Sequence, residues 1–158
     1  MKIGITCSTF DLLHAGHIIM LEECKQYCDY LICALQVDPS LDRQDKNKPI
    51  QSLVERYIQL NAVKWVDQII PYTTEAELIE IFQACPIDVR IIGSDYIGKE
   101  FTAKEVCDER GIEIVYNKRD HKYSSTSLRK KVYAEEKSRE LRAPYKGTYT
   151  VSGSIYGK

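Results

Sequence analysis

Short apolar runs alternate with amphipathic stretches along most of the chain. The apolar runs predict five strands, at residues 2–7, 30–37, 66–70, 88–93 and 112–116. Apolar residues at helical spacing predict five helices, at residues 16–28, 52–63, 74–84, 101–110 and 125–141. Pro71 is expected to end the third strand. Ser52 and Glu55 have the spacing of a capping box at the start of the second helix.

This alternation predicts an α/β fold, a Rossmann-like doubly wound five-stranded parallel sheet with helices on both faces. Ligands in such sheets bind beyond the carboxyl ends of the strands, where the strand order reverses. The chemistry is therefore expected just after Cys7, Val37, Gly93 and Tyr116. We predict one domain over residues 1–143. Residues 144–158 break the pattern, as a tail, an edge strand, a dimer arm or a disordered segment.

Composition narrows the class of protein. The 158 residues, 44% hydrophobic and 28% charged with a net charge of -1, are ordinary for a globular domain. No apolar run approaches the ~18 residues that span a membrane. The opening residues lack a secretory signal pattern, so we expect a cytoplasmic protein without a membrane partner. Six cysteines without CxxC spacing predict reduced, mostly buried thiols.

Residues 118–146 carry ten basic and four acidic residues, so the near-neutral total hides a basic segment. Such a segment suggests a phosphate-bearing partner, although a solvated helix face would have the same composition. Nucleic acid is not expected, because the whole chain is not basic and no nucleic-acid motif accompanies the segment.

The first candidate motif follows the first strand. Thr9, Phe10 and Asp11 precede His14-Ala15-Gly16-His17, where two histidines three residues apart would project toward the same side. Gly16 would let the backbone approach a ligand closely, and the helix N-terminus beyond it would offer N–H groups to phosphate oxygens. A surface pair or a metal-binding pair of histidines has the same spacing.

The second candidate motif opens the last predicted helix. Ser124, Ser125 and Thr126 would supply hydroxyl and N–H donors for phosphates, with Arg129 three residues on. Helix caps use the same residue types, so this motif alone is weak.

Together the two motifs resemble the HxGH nucleotidyltransferase superfamily. The resemblance covers about residues 1–133 and is greatest to its cytidylyltransferase family, within the glycerol-3-phosphate cytidylyltransferase group. It implies a catalytic set of His14, His17, Lys46 and Arg119. It implies nucleotide contacts from Thr9, Phe10, Gly16, Asp95, Ser124, Ser125 and Thr126. Acceptor contacts would come from Asp11, Asp38 and Arg56. Lys48 stands in the same loop as Lys46, and Asp11 and Asp38 could instead be turn residues.

The chain departs from the cytidylyltransferase pattern at two places. It has Asp120-His121-Lys122-Tyr123 where that family carries Thr-x-Gly-Ile, and Ser94 replaces one aspartate of an Asp-Asp pair. The Ser-Ser-Thr-x-x-Arg form also resembles adenylyltransferases. His121 could touch the acceptor or merely be exposed in a basic loop.

The resemblance implies transfer of CMP from CTP to a small phosphomonoester, with release of pyrophosphate. An ATP-dependent adenylyltransferase and a catalytically silent nucleotide-binding module are the alternatives. Mg²⁺ would accompany the triphosphate, but the sequence contains no cluster of metal ligands. Two-fold dimers are the commonest oligomers, and relatives are commonly homodimers, so we expect one.

Overall fold

The computed structural model describes residues 1–118 and 120–142. Arg119 and residues 143–158 lie outside the described residues, and so do the catalytic role predicted for Arg119 and the tail predicted over residues 144–158. The chain divides into two compact units, Met1–Ser125 and Thr126–Lys158. The first unit contains the whole sheet, and the last helix begins at its final residue.

Five strands and five helices alternate along residues 1–118 and 120–142. The strands are β1 (Ile3–Ser8), β2 (Tyr30–Gln36), β3 (Gln68–Tyr72), β4 (Val89–Gly93) and β5 (Glu113–Asn117). The helices are α1 (Ala15–Cys24), α2 (Leu53–Asn61), α3 (Glu75–Ala84), α4 (Lys104–Arg110) and α5 (Ser125–Leu141). Two 3₁₀ turns, Pro39–Leu41 and Ser94–Tyr96, follow β2 and β4. The strands form one parallel sheet in the order β3-β2-β1-β4-β5, which confirms the predicted fold class.

The start of helix α2 follows its predicted cap. Ser52 and Glu55 form the expected capping box of α2, and Thr74 caps α3 in the same way. Helix α1 ends four residues earlier than predicted, because i→i+3 bonds tighten the chain after Cys24 before it enters β2. Helix α4 begins three residues later than predicted, because Ala103 adopts a left-handed conformation with φ of 63°.

The prediction that Pro71 ends the third strand is wrong, because this residue lies inside β3 opposite Leu35. The carbonyl of Tyr72 accepts from the N–H of Val37, so Tyr72 faces β2. In a parallel strand alternate residues face opposite sides, so Pro71 faces the open edge of the sheet. No ladder bond is lost there, since proline lacks only an N–H that β2 would not have used.

Helices cover both faces of the sheet. On one face, α1 and α2 bury Leu21, Cys24 and Leu60 against a cluster that includes Leu31 and Ile91. On the other face, α3 and α4 pack through a second cluster that includes Leu78, Phe82, Val106, Ile5 and Ile32. A two-sided apolar cover of this kind accounts for the continuous apolar runs of the central strands.

All six cysteines are thiols, and four of them are buried, which confirms the prediction made from their spacing. Burial raises the pKa of the Cys7 thiol to about 11, so it is protonated at neutral pH. Among the described residues, no helix is long and apolar enough to cross a membrane.

The strand order reverses at β1, which pairs with β2 on one side and β4 on the other. The loop that follows β1 therefore leaves the sheet at the point where ligands bind in folds of this class. This loop and the start of α1 contain the first candidate motif.

Candidate active site

The loop after β1 is held in an unusual conformation. Phe10 and Leu12 have φ angles of 48° and 51°, in the left-handed region that side-chain-bearing residues seldom adopt. The buried carboxylate of Asp11 accepts the N–H groups of Ile50 and Gln51, each at 2.9 Å. The side chain of Gln51 in turn accepts the N–H of Leu12 at 2.8 Å. The surroundings thus impose a strained loop, as they often do at functional sites.

Arg56 binds the same loop through hydrogen bonds, and its side chain is only 2% exposed. Its guanidinium donates to four backbone carbonyl oxygens: those of Gln51 at 3.2 Å, Thr9 at 2.9 Å, Gln36 at 2.7 Å and Val37 at 2.6 Å. One side chain on α2 therefore joins the ends of β1 and β2. These contacts favour a positioning role, and the substrate contact expected from the sequence stays a prediction.

The two histidines form a reciprocal cap at the start of α1. His14 is the N-cap residue, and its Nδ1 accepts the N–H of Gly16 at 3.1 Å. The Nδ1 of His17 accepts the N–H of His14 at 3.3 Å. The rings stack with centroids 4.0 Å apart and planes 28° from parallel. This is the geometry of a capping box, with imidazoles in place of the usual Ser and Glu.

The cap determines which ring nitrogens carry protons. Because Nδ1 of each histidine accepts a backbone N–H, we assign the proton of each neutral ring to Nε2. Nε2 of His14 lies 3.2 Å from Oγ of Ser125, and that hydroxyl donates to the carbonyl of Asp11 at 3.3 Å. Burial lowers the pKa of His14, and the neighbouring charge of His121 lowers it further. The fold thus favours a neutral His14 imidazole that presents an Nε2–H donor.

Gly16 cannot be another residue without displacing its neighbours. A Cβ at this position would stand 2.7 Å from Cε1 of His121 and 3.0 Å from Cε1 of His14. The expected free N–H at this point of α1 is not found, because the N–H of Gly16 is already bound to His14. Phosphate recognition at this turn would therefore rely on the imidazoles more than on the backbone N–H groups that the sequence predicted.

The loop after β2 brings polar groups to the same edge of the sheet. Asp38 caps the 3₁₀ turn by accepting the N–H of Ser40 at 3.0 Å and its hydroxyl at 2.6 Å. The Ser40 hydroxyl lowers the pKa of Asp38, as do the positive charges of Lys48 and Arg56. Lys46 is exposed and pairs with its neighbour Asp45 at 3.6 Å. These contacts favour Lys48 over Lys46 as the lysine nearer the strand ends, and the role of each stays a prediction.

The remaining predicted site residues are more exposed. Asp95 lies in the 3₁₀ turn after β4, and Ser124 precedes α5. Thr126 is exposed and opens the second unit. Within the part of the chain that the structure describes, no group of three or more histidine, cysteine or acidic side chains could hold a metal ion.

The sequence analysis did not predict the four carbonyl contacts of Arg56 or the position of His121 beside Gly16. The imidazole cap could have been predicted, since residues 14 and 17 have the spacing of N-cap and N3. The structure brings together Thr9, Phe10, Asp11, His14, Gly16, His17, Arg56 and Ser125.

Comparison with known proteins shows the family of this chain. A model of the family "Cytidylyltransferase-like" matches residues 5–131, which is most of the chain. The chain belongs to the cytidylyltransferase-like family. It is 35% identical over 132 residues to a glycerol-3-phosphate cytidylyltransferase from Bacillus subtilis, covering 84% of this chain and 98% of that protein. It is also 35% identical over 116 residues to the bifunctional protein HldE of Hyphomonas neptunium, but spans only 24% of it.

Among solved structures, a lipopolysaccharide core biosynthesis protein from Thermoplasma volcanium superposes with a TM-score of 0.60 at 25% identity. That match covers 78% of this chain and 99% of the other. The predictions of a cytidylyltransferase family member and of a nucleotidyltransferase enzyme are therefore confirmed. The matched residues 5–131 include the first motif and the edge of the sheet described above.

Proposed function

We propose that this enzyme transfers CMP from CTP to a small phosphomonoester of the glycerol 3-phosphate type, giving a CDP-linked product and pyrophosphate. The observation that carries the proposal is the reciprocal cap of His14 and His17 at the point where the strand order reverses. The similarity to glycerol-3-phosphate cytidylyltransferase over nearly the whole length of that protein supports CTP and this acceptor class.

The chemistry needs little from a general base. A phosphomonoester carries close to two negative charges at neutral pH, since its second pKa is near 6. Its oxygen forms a bond to the α-phosphorus of CTP, while the bond from that phosphorus to the bridging oxygen of the β-phosphate breaks. The electron pair leaves with pyrophosphate. Such a transfer depends mainly on positioning and on neutralising negative charge.

The chain's residues would supply both. The Nε2–H groups of His14 and His17 would donate to phosphate oxygens on which charge accumulates. In that complex Ser125 would exchange its contact with His14 for one with phosphate. Lys46 or Lys48 would hold the far end of the triphosphate.

Mg²⁺ belongs to this proposal as the counter-ion of the triphosphate. The two carboxylate oxygens of Asp11 already accept backbone N–H groups, and the described residues form no cluster of metal ligands. The ion would therefore arrive on CTP and be held by phosphate oxygens, neutralising part of their charge. Phosphate-bound Mg²⁺ in enzymes commonly keeps few protein ligands.

An ATP-dependent adenylyltransferase is the second candidate. The Ser-Ser-Thr-x-x-Arg form at residues 124–129 favours it, because that form also resembles adenylyltransferases.

The homodimer and the cytoplasmic location stay predictions. Exposed apolar side chains on and before α2, namely Ile50, Val54 and Ile58, are consistent with a buried surface in a dimer.

The nucleotide is tested first by thermal unfolding with Mg²⁺ and CTP, ATP, GTP or UTP in parallel. A ligand at 100 times its Kd adds about 2.7 kcal/mol to the free energy of unfolding. We expect selective stabilisation by CTP, followed by pyrophosphate release when glycerol 3-phosphate is added. Selective stabilisation by ATP would favour the second candidate. No response to any triphosphate would favour a silent module.

The role of the histidine pair is tested by His17→Gln. Glutamine is a normal N3 partner in a capping box, so it can still accept the N–H of His14 while removing the imidazole. We expect the melting temperature to stay close to that of the wild type and kcat to fall by about 10²–10³.

Glu77→Gln is the matched control, because Glu77 holds the same N3 position in the capping box of α3. That variant should keep wild-type turnover. Near-normal turnover in His17→Gln would mean that the imidazole takes no part in the reaction.

A further inference from the structure

His121 lies directly over the first turn of α1. Its Cε1 is 2.7 Å from the position that a Cβ of Gly16 would take, and Cε1 of His14 is 3.0 Å from the same point. Two imidazoles therefore flank a single Cα at the start of the helix. The sequence is compatible with His121 at the acceptor or exposed in a basic loop, and the structure places it beside the paired histidines.

The hydrogen bonding of the His121 ring is not that of a residue whose only role is packing. Its Nδ1 is enclosed, yet it makes no hydrogen bond to any residue in the described part of the chain. Buried polar atoms in folded proteins are nearly always paired, so an apolar residue would suit this place better if packing were its only role. The ring also lies 5.7 Å from that of Tyr123, tilted by 32°, so an aromatic neighbour supports it on the side of its own loop.

Rotation of the His121 ring would turn a ring nitrogen toward the helix start. A half-turn about the Cβ–Cγ bond exchanges Cε1 with Nε2 and puts a nitrogen over Gly16. The N-terminus of α1 favours negative charge at this point. Since the N–H of Gly16 is bound to His14, an anion here would find imidazole donors in place of that backbone donor.

We propose that His121 binds a phosphate oxygen of the triphosphate substrate next to His14, as a third imidazole of the phosphate site. The identity of the anion rests on the proposed function. His121 is then a substrate-binding residue contributed by the segment in which this chain departs from the cytidylyltransferase pattern.

Nuclear magnetic resonance can test the contact without turnover, because the chain contains only three histidines. The three Cε1–H signals are assigned with His14→Asn, His17→Gln and His121→Gln, and inorganic tripolyphosphate is then added to the wild-type protein at constant pH. We expect the His121 signal to shift together with those of His14 and His17. The proposal is overturned if His121 stays unchanged, whether or not the other two signals shift. A shift of His121 with tripolyphosphate, in a protein that no nucleotide stabilises, would keep the anion site and reject the proposed function.

Kinetics give an independent measure. A hydrogen bond to a charged group corresponds to roughly 10- to 100-fold in affinity. We expect His121→Ala to raise KM for CTP by that factor while kcat changes little, and His121→Gln to recover part of the loss through its amide N–H. Lys122→Ala, an exposed change in the same segment, is the control and should alter KM far less. A lower melting temperature with unchanged KM in both His121 variants would assign His121 to packing and overturn the proposal.

Discussion

Arg56 provides the sharpest test of how the site is built, because its two possible roles predict opposite results. Its guanidinium reaches four carbonyl oxygens at 2.6–3.2 Å and is almost fully buried. Arg56→Met keeps most of the aliphatic volume but removes all four donors. Leaving a buried acceptor without its partner costs about 1 kcal/mol or more. Relief from burying a charge offsets part of this, so we expect a loss of about 4 kcal/mol in the free energy of unfolding.

For a chain of this size, such a loss lowers the melting temperature by roughly 8–16 °C. It can be measured by thermal and urea unfolding followed by circular dichroism. Arg56→Lys should recover only part of the stability, because an ammonium lacks the planar fork that reaches several carbonyls at once. Arg139→Met is the control, since Arg139 pairs with Glu136 at 3.0 Å on an exposed helix surface. Pairs of that kind contribute about 0–1 kcal/mol.

A loss of less than about 1 kcal/mol in Arg56→Met, the cost of a single unpaired acceptor, would show that the four hydrogen bonds of Arg56 do not stabilise the fold. A tenfold higher KM for the acceptor with unchanged stability would show instead that Arg56 contacts substrate, as the resemblance implied. A positioning role predicts that stability falls and that every kinetic constant worsens together.

Two further predictions concern the start of α1. Gly16→Ala gains about 1 kcal/mol of helix propensity but pushes a Cβ into His14 and His121, so stability should change little while kcat/KM falls at least tenfold. The fall in kcat/KM caused by Gly16→Ala should be smaller in a His121→Ala background. Equal falls in both backgrounds would contradict the close approach of the new Cβ to His121. In the native protein His14 binds its proton at lower pH than in the unfolded chain, where the pKa is about 6.5. Stability should therefore fall as pH drops from 7.5 to 5.5, and less steeply in His14→Asn, which keeps the cap; equal slopes in urea unfolding would contradict this.

The sequence was informative wherever local chemistry decides the structure. Capping residues such as Ser52 and Thr74 satisfy N–H groups within a few residues of themselves, so their pattern is visible in the chain. The order of strands and helices followed from periodicity for the same reason. The HxGH motif predicted a site at the carboxyl edge of the sheet, because the end of a strand determines where the next turn lies.

Features that depend on distant parts of the chain could not be predicted. The burial of Arg56 depends on carbonyl groups up to 47 residues away, which only the assembled sheet brings together. Pro71 is compatible with β3 only because that strand lies at an edge, which is a property of the whole sheet. His121 is 105 positions from Gly16 along the chain, and no local pattern relates them.

The position of Pro71 also limits how copies of this protein can associate. The residues of β3 that face outward are Ile69 and Pro71, and only Ile69 has an N–H to offer an incoming strand. An edge with a single donor over five residues is a poor template for another β-strand, so neither sheet extension nor fibril growth is favoured on this side. If the enzyme forms dimers, contacts on this side of the molecule are expected to come from helix or loop surfaces and not from strand pairing along β3.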